Sequence, residues 1–347
     1  MESSLQKTIN MTTKKMYITG GVGSRHEGEA FGENYELPNK EAYAETCAAI
    51  ASFMWNWRMF LVTGDSKYTD LMEQTLYNGL ISGVSLDGKK YFYVNPLEAD
   101  RNHRREEWFE CACCPTNIIR LLTQFPGYMY SVSNRGIWVN FYENSEGYVN
   151  FGESVKIVQR TDYPWDGKIQ IEVIPERSEE FSIFLRIPDW SKNFEVSVNG
   201  KKIDKKILSK GYLEIRRVWN ERNMIELEFE MTTELVKSNP EVRENDGKVV
   251  VKRGPMVYCF EQVDNPDVEI LNIEVLGDFE EKYIENLLGG VVQIKVNGLD
   301  TRSIWRDSLY SDVDKIKTSK RVELKLIPYF AWANREPSKM IVWLPKH

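Results

Sequence analysis

Histidine is scarce in this chain of 347 residues: His26, His103 and His347 are too few and too scattered to build a histidine-based site. Net positive charge is lacking too. The formal charge is -7 at pH 7, and neutralising phosphates requires a basic field, which argues against a nucleic acid or an acidic membrane as partner. A neutral or small substrate fits better. No apolar run approaches the roughly 18 residues of a membrane-spanning helix, and Met1 to Lys15 is polar, without the apolar core of a signal peptide. These absences lead to the expectation of a cytoplasmic chain with no membrane span. Charge blocks and low hydrophobicity, the marks of disorder, are missing as well, since 42% of residues are hydrophobic and 28% charged. The glycines of Gly20-Gly21-Val22-Gly23-Ser24 do not form a dinucleotide fingerprint, because His26 stands where the third glycine belongs and no strand precedes them.

The length suits two or three domains. The first third carries helical patterning. After Pro38-Asn39, the stretch Glu41 to Val62 is apolar nearly all round, which predicts a helix buried inside a helical assembly and ended by Gly64-Asp65. Tyr68 to Ile81 predicts a second, amphipathic helix. A loop follows, with a turn at Leu86-Asp87-Gly88-Lys89-Lys90 and the aromatic run Tyr91-Phe92-Tyr93, and it ends at Cys111-Ala112-Cys113-Cys114-Pro115. Pro115 suits a first helical position, so a third helix is expected from there, with the adjacent cysteines at its N-terminus. From about Gly127 the period becomes alternating, as in Gly136 to Tyr142 and Ile169 to Val173, which predicts β-sandwich structure. Turn residues at Asn239-Pro240 and Glu244-Asn245-Asp246-Gly247 divide this β part in two.

Five cysteines occur, at 47, 111, 113, 114 and 259, and the crowding of three into four positions marks metal binding or catalysis rather than a disulfide framework. A thiol acts as ligand or nucleophile only as the thiolate. Unpaired N–H groups at a helix N-terminus favour that form, and a bound zinc ion favours it further. Glu45 and Cys47 supply two more candidate ligands for a tetrahedral site. They point to different sides of an ideal helix, so joint ligation requires an irregular backbone or a helix end there. On residue types alone, a structural zinc site or simply buried thiols is the commoner meaning of such a cluster.

Acid/base chemistry at such a site would also need a proton donor. Glu29, in the glycine-rich loop at Gly28-Glu29-Ala30-Phe31, is a candidate, although a loop glutamate is ordinarily just solvated. The aromatic content of 12% suits sugar stacking and sandwich cores equally. Tyr93 is a candidate sugar contact, with core packing as the default.

Several motifs in order carry a resemblance: Tyr17-Ile18-Thr19-Gly20-Gly21-Val22-Gly23-Ser24, Gly28-Glu29-Ala30-Phe31, Ala44-Glu45-Thr46-Cys47, Tyr93-Val94-Asn95-Pro96-Leu97 and Cys111 to Pro115. It continues at Leu185 to Trp190, Arg253 to Tyr258 and Ile327 to Arg335. Together they resemble family 127 glycoside hydrolases, the bacterial β-L-arabinofuranosidases. The resemblance implies an α+β multidomain fold, a partial (α/α)6 catalytic barrel over residues 1–128 followed by β-sandwich domains over 129–240 and 241–347. It implies Zn2+ held by Glu45, Cys47, Cys113 and Cys114. Cys113 is implied as the nucleophile, Glu29 as general acid then base, and Tyr93 as a substrate contact, with retention of configuration. The implied substrate is an L-arabinofuranose-containing oligosaccharide or glycoconjugate. Family members carry further barrel helices before the Tyr-Ile-Thr-Gly-Gly segment. The expectation is therefore that the first half of the barrel is absent here, and that a chain carrying that half, or a second copy, covers the exposed faces. Two other readings stand beside the enzyme: a zinc-stabilised, catalytically silent carbohydrate-binding protein, and a degenerate paralogue with an assembly role.

Overall fold

The computed structural model describes residues 2–204, 207–300, 309–310 and 320–346. Over these residues the chain is an α+β multidomain protein with few helices and many strands. Two units can be separated, Met1–Ile50 with Thr75–Ile118 and Thr233–His347 forming the first, and Ala51–Gln74 with Ile119–Thr232 the second. His347 lies outside the described residues.

The first unit opens with helix α1 (Glu2–Lys14), which the sequence pattern does not reveal because its residues are mostly polar. Thr12 and Thr13 donate their hydroxyls back to Thr8 O at 2.9 Å and Ile9 O at 2.6 Å, satisfying their polar groups locally. A nine-stranded sheet organises the rest of this unit. Its strand Met256–Glu261 is buried along its whole length, as expected of a sheet interior covered on both faces. That strand pairs with Lys320–Pro328, Met340–Ile341 and Lys248–Arg253. The short strand Glu98–Ala99, from the loop before the cysteines, pairs with Met340–Ile341. One core therefore joins distant parts of the sequence: Tyr17, Ala42, Ala44, Phe92 and Leu97 pack with Val257, Cys259, Tyr329, Trp332 and Val342.

Helix α2 covers Thr46–Thr63, starting five residues later than the apolar run begins, because Ala42 to Ala44 has no regular structure, with Ala44 at a left-handed φ of 36°, and Glu45 is taken up in a bridge to Val94. Nor is it buried all round. Trp55, Leu61 and Val62 are exposed, so the apolar run covers a surface as well as a core. Helix α3 runs over Ser66–Gln74 and gives way to a wider π-type turn, Thr75–Leu80, then a tight turn at Ile81–Gly83. The expected single helix to Ile81 is interrupted because the Gly79 amide is diverted to Thr19 O at 2.8 Å. Asn78 meanwhile bonds the 255–257 backbone at 2.9 and 2.7 Å. Helix α4 is Cys113–Gln124, two residues longer at its start than the sequence suggests. Among the described residues no helix is long and apolar enough to cross a membrane.

The second unit holds a five-stranded and a six-stranded sheet. Strand Asn223–Phe229 buries Asn223, Ile225, Leu227 and Phe229 and turns the residues between them outward, the period-two pattern of a one-sided sheet. Gly136–Val139 runs parallel to Glu179–Arg186; the other pairings in both sheets are antiparallel.

A buried charge network ties α3 to the five-stranded sheet. Arg186 is fully buried. It donates to Asp70 Oδ1 at 2.8 Å, to Asn140 O at 2.6 Å and to Glu73 Oε1. Glu73 also accepts from the Tyr163 hydroxyl at 2.7 Å and the Trp190 indole at 3.2 Å. Two carboxylates thus share one guanidinium, and burial pushes Asp70 up to about 7 against the pull of Arg186. Because this folded-state value lies above the ordinary one of 3.8, folding takes up a proton at Asp70. The associated stability is complete below the ordinary value and is lost as the pH rises through about 7. The urea midpoint is therefore expected to fall between about pH 4 and pH 7, and Asp70→Asn should flatten that slope; parallel pH profiles for the two proteins would contradict the assignment. Arg186→Met leaves the carboxylates unpaired and should cost about 3–5 kcal/mol in the same measurement.

Candidate metal centre and active site

The site is assembled in the first unit where the segment before α2 lies against the loop containing Tyr93. Glu45 makes an isolated antiparallel bridge with Val94. Thr46 donates its amide to Tyr93 O at 3.0 Å and its hydroxyl to Phe92 O at 2.8 Å. Asn95 donates to Ala44 O at 3.0 Å and to the Thr46 hydroxyl at 2.9 Å. Gly83 makes this approach possible. A Cβ there would lie 2.6 Å from Thr46 Cγ2, and its carbonyl instead accepts from the Phe92 amide at 2.9 Å. Arg105 braces the same loop. Its guanidinium bonds Ser82 O at 2.8 Å and Trp332 O at 2.7 Å and lies 4.3 Å from the centre of the Phe92 ring.

Glu45 therefore sits just outside α2 and Cys47 in its first turn, which removes the conflict that an ideal helix would impose on them. Cys113 and Cys114 open α4. The four candidate ligand atoms all lie within 4.8 Å of one another. Cys47 Sγ is 3.5 Å from Cys114 Sγ, Cys113 Sγ is 3.8 Å from Cys114 Sγ, and Glu45 Oε1 is 3.6 and 3.7 Å from the sulfurs of Cys113 and Cys114. Tetrahedral zinc, with bonds of about 2.3 Å to sulfur and about 2.1 Å to oxygen, spaces its ligands by roughly 3.5–3.8 Å. The Glu/Cys set fits such an ion.

The sulfurs are not equivalent. Cys114 is fully buried while Cys47 and Cys113 are half-buried. The Cys114 thiol holds Cys47 down to about 7, and Asn117 adds a donated N–H at 2.9 Å. The charge that gathers on Cys47, together with burial, drives Cys114 upward. Burial pushes Cys113 up to about 11 despite its place at a helix N-terminus; in this arrangement desolvation outweighs the helix dipole, and a cation is what would reverse the balance. Cys111 is exposed and Cys259 lies in the core; neither belongs to the four-residue cluster.

Tyr93 connects the cluster to Glu29. Its hydroxyl is 3.4 Å from Cys113 Sγ and 3.4 Å from Glu29 Oε1, and the bond to Cys113 raises its pKa. Glu29 lies on the exposed loop and accepts a second hydroxyl, from Tyr43, at 2.7 Å. The geometry thus gathers all six residues singled out in the sequence: Glu29, Glu45, Cys47, Tyr93, Cys113 and Cys114. Tyr43, Asn117 and Arg105 escape sequence reasoning. For Asn117 a signal does exist, since it stands one helical turn beyond Cys113 and Cys114. His26 packs its ring edge-on to Tyr43 at 5.0 Å, and His103 stacks on Phe92 at 4.9 Å; neither belongs to the metal cluster.

The arrangement offers a candidate cation cage in which one of two half-buried sulfurs, that of Cys113, and the Glu29 carboxylate lie within reach of the same tyrosine. Comparison with known proteins places it in context. Three profiles match in succession: the catalytic domain of GH127 beta-L-arabinofuranosidase over residues 6–127, its middle domain over 136–231, and the family 127 C-terminal domain over 233–345. The non-reducing end beta-L-arabinofuranosidase of Bifidobacterium longum subsp. longum is 37% identical over 96% of this chain and 54% of its own length. A crystal structure of a GH127 beta-L-arabinofuranosidase from Geobacillus stearothermophilus T6 superposes with a TM-score of 0.91 at 42% identity, over 98% of this chain and 55% of that one. A solved GH127 beta-arabinofuranosidase gives 0.89 at 41% identity, over the same shares. The chain spans about half the length of these relatives. With its three successive domain matches and its likeness to these structures, the chain belongs to glycoside hydrolase family 127.

Proposed function

We propose that this chain carries the reacting groups of a retaining β-L-arabinofuranosidase, with Cys113 as nucleophile, Glu29 as acid/base and Tyr93 as a substrate contact. The observation that carries this reading is the shared tyrosine: one hydroxyl lies 3.4 Å from both the Cys113 sulfur and the Glu29 carboxylate. The substrate is an L-arabinofuranose-containing oligosaccharide or glycoconjugate. Glu45, Cys47, Cys113 and Cys114 are the proposed holders of Zn2+. When bound, the ion supplies the positive charge that keeps the Cys113 sulfur ionised at neutral pH.

In the first displacement Cys113 Sγ attacks the anomeric carbon and a C–S bond forms as the glycosidic C–O bond breaks. Glu29 donates its proton to the departing aglycone oxygen. In the second, the Glu29 carboxylate takes a proton from water, whose oxygen attacks the same carbon, and the C–S electron pair returns to Cys113. Two inversions at one carbon give net retention. Cys113 takes the place of the second carboxylate that most glycosidases use.

The proposed domain plan is a partial (α/α)6 barrel over 1–128 and β-sandwich domains over 129–240 and 241–347. The alternating burial in the six-stranded sheet supports the sandwich reading. A cytoplasmic setting suits five cysteines that are all free thiols. In the second unit, Trp55, Leu61 and Val62 of α2 and Ile119 and Leu122 of α4 are exposed, and apolar surface of this kind marks an interaction site. Its proposed occupant is a chain supplying the helices of the N-terminal half-barrel, with a second copy of this chain as the alternative. The second functional reading, a zinc-stabilised but catalytically silent sugar-binding protein, draws on the exposed position of Glu29.

The zinc-loaded chain, under reducing conditions, is expected to hydrolyse a chromogenic β-L-arabinofuranoside once mixed with the N-terminal half of a longer family member. Cys113→Ser should lower the rate by about 10^4-fold or more, and Glu29→Gln by about 10^2–10^4-fold. No hydrolysis with or without that half, while sugar binding survives in Cys113→Ser, would favour the silent reading. A stable monomer whose activity is indifferent to the added half would remove the proposed partner. Elemental analysis should find one zinc per chain. Asn117→Leu, which strips the donor from Cys47, should weaken the affinity about 10- to 100-fold; affinity unchanged by Asn117→Leu would show that this hydrogen bond does not support the metal.

A further inference from the structure

We infer that Tyr43 is a positioning residue for Glu29, holding one carboxylate oxygen so that the other, Oε2, is the atom that gives and takes the proton. The inference rests on the acid/base role proposed for Glu29.

The loop by itself fixes the backbone of Glu29 but not its carboxylate. Arg25 and Ala30 exchange two backbone hydrogen bonds at 3.1 Å, and the Ser24 hydroxyl accepts from the Gly32 amide at 2.9 Å. Within that closure Gly28 and Glu29 take left-handed φ values of 69° and 50°. These constraints aim the Cα–Cβ bond of an exposed side chain that still has three rotatable bonds. Tyr43 supplies the missing restraint. It is 7% exposed, and its backbone is anchored next door, where the Ala44 amide donates to Gly23 O at 2.8 Å. Its ring meets His26, the residue before the turn, at 5.0 Å and 75°. Its hydroxyl donates to Glu29 Oε1 at 2.7 Å.

The Tyr93 hydroxyl reaches the same Oε1 at 3.4 Å, so both phenols converge on one oxygen. Among the described residues Oε2 has no hydrogen-bond partner. A carboxylic acid whose carbonyl oxygen accepts from a phenol carries its proton on the other oxygen, and that oxygen is left free to face an aglycone. Once the proton has gone, the same phenol steadies the carboxylate in the orientation needed to deprotonate water. Among the described residues Tyr43 makes no hydrogen bond to Glu45, Cys47, Cys113 or Cys114, its hydroxyl going to Glu29, so its loss should affect proton transfer and spare the thiolate.

The test is Tyr43→Phe in the zinc-loaded chain, assayed as above on two β-L-arabinofuranosides, one with a 4-nitrophenyl and one with a methyl aglycone. The methyl leaving group depends on protonation and the nitrophenyl group barely does. The expected result is about a 10-fold loss of kcat/KM on the methyl substrate against less than about 3-fold on the nitrophenyl one, with zinc content unchanged. In a Glu29→Gln background the same change should have no further effect. Equal losses on both substrates, or additive losses in the double variant, would overturn the inference in favour of a structural role. Should the parent chain hydrolyse neither substrate, the proposed reaction fails, and the tyrosine is judged on labelling alone. Amidation of Glu29 by a carbodiimide and glycine ethyl ester, read by mass spectrometry, should quicken several-fold in Tyr43→Phe. An unchanged labelling rate would show that Tyr43 does not hold the carboxylate.

Discussion

The bonding of Thr46 to the segment beside it governs the spacing of Glu45, Cys47 and Tyr93. Its amide and hydroxyl reach Tyr93 O and Phe92 O at 3.0 and 2.8 Å, which fixes the start of α2 against the tyrosine loop. Glu45 is held outside the helix and Cys47 inside its first turn, so both face the cysteines that open α4. Thr46 is fully buried, and its hydroxyl is both donor and acceptor within a closed set that includes Asn95 and Ser82. Networks satisfied in this way rigidify a site, because displacing one member leaves buried polar atoms without partners. Gly83 completes the constraint by omission: any side chain there would strike Thr46.

That dependence explains how much of the site was legible in the sequence. Candidate ligand types announce themselves, because three cysteines in four positions mark metal binding or catalysis, whereas Glu29 and Tyr93 stand out through the order of motifs around them. Their supporting residues do not. Tyr43, Asn117 and Arg105 are ordinary residues whose roles arise from pairings between segments remote in sequence, such as Arg105 with Trp332. The same limit appears in the fold. The switch from helix to strand after Gly127 can be read from the pattern, and the first strand after it, Tyr130–Ser133, follows closely. Helix α1 cannot, because polar residues carry no period. The end of α3 is set by a bond from Gly79 to Thr19, which no local propensity encodes. Glu41 to Val62 misleads in another way: an apolar pattern nearly all round predicts burial all round, yet Trp55 and Val62 face outward.

The core of the first unit shows why residues far from the cluster matter to it. The Phe92 ring stacks on Trp332 at 4.9 Å and on His103 at 4.9 Å, with the Arg105 guanidinium over its face. Phe92 is therefore held by the C-terminal part of the chain, and Tyr93, one residue on, inherits that placement. Successive residues of an extended segment point to opposite sides, so a core that grips Phe92 turns Tyr93 toward the sulfurs. The C-terminal segment of this unit thereby contributes to the site without supplying a reacting group.

Two polar centres in this chain meet the problem of buried charge in different ways. Around Arg186, paired charges and hydrogen bonds within the protein balance desolvation, with Asp70 taking up a proton where the balance falls short. Around Cys113 the balance is struck by keeping charge off the sulfur: burial raises the thiol to about 11, and the neighbouring Cys47 pushes the same way. A centre that holds three thiols and a carboxylate within 4.8 Å, with Asn117 and Tyr93 as the polar neighbours hydrogen-bonded to its sulfurs, would need a cation for its sulfurs to ionise together. That requirement is the physical argument for a candidate cation site here. It is independent of family resemblance, because it follows from the spacing of the donors and the cost of gathering negative charge out of water.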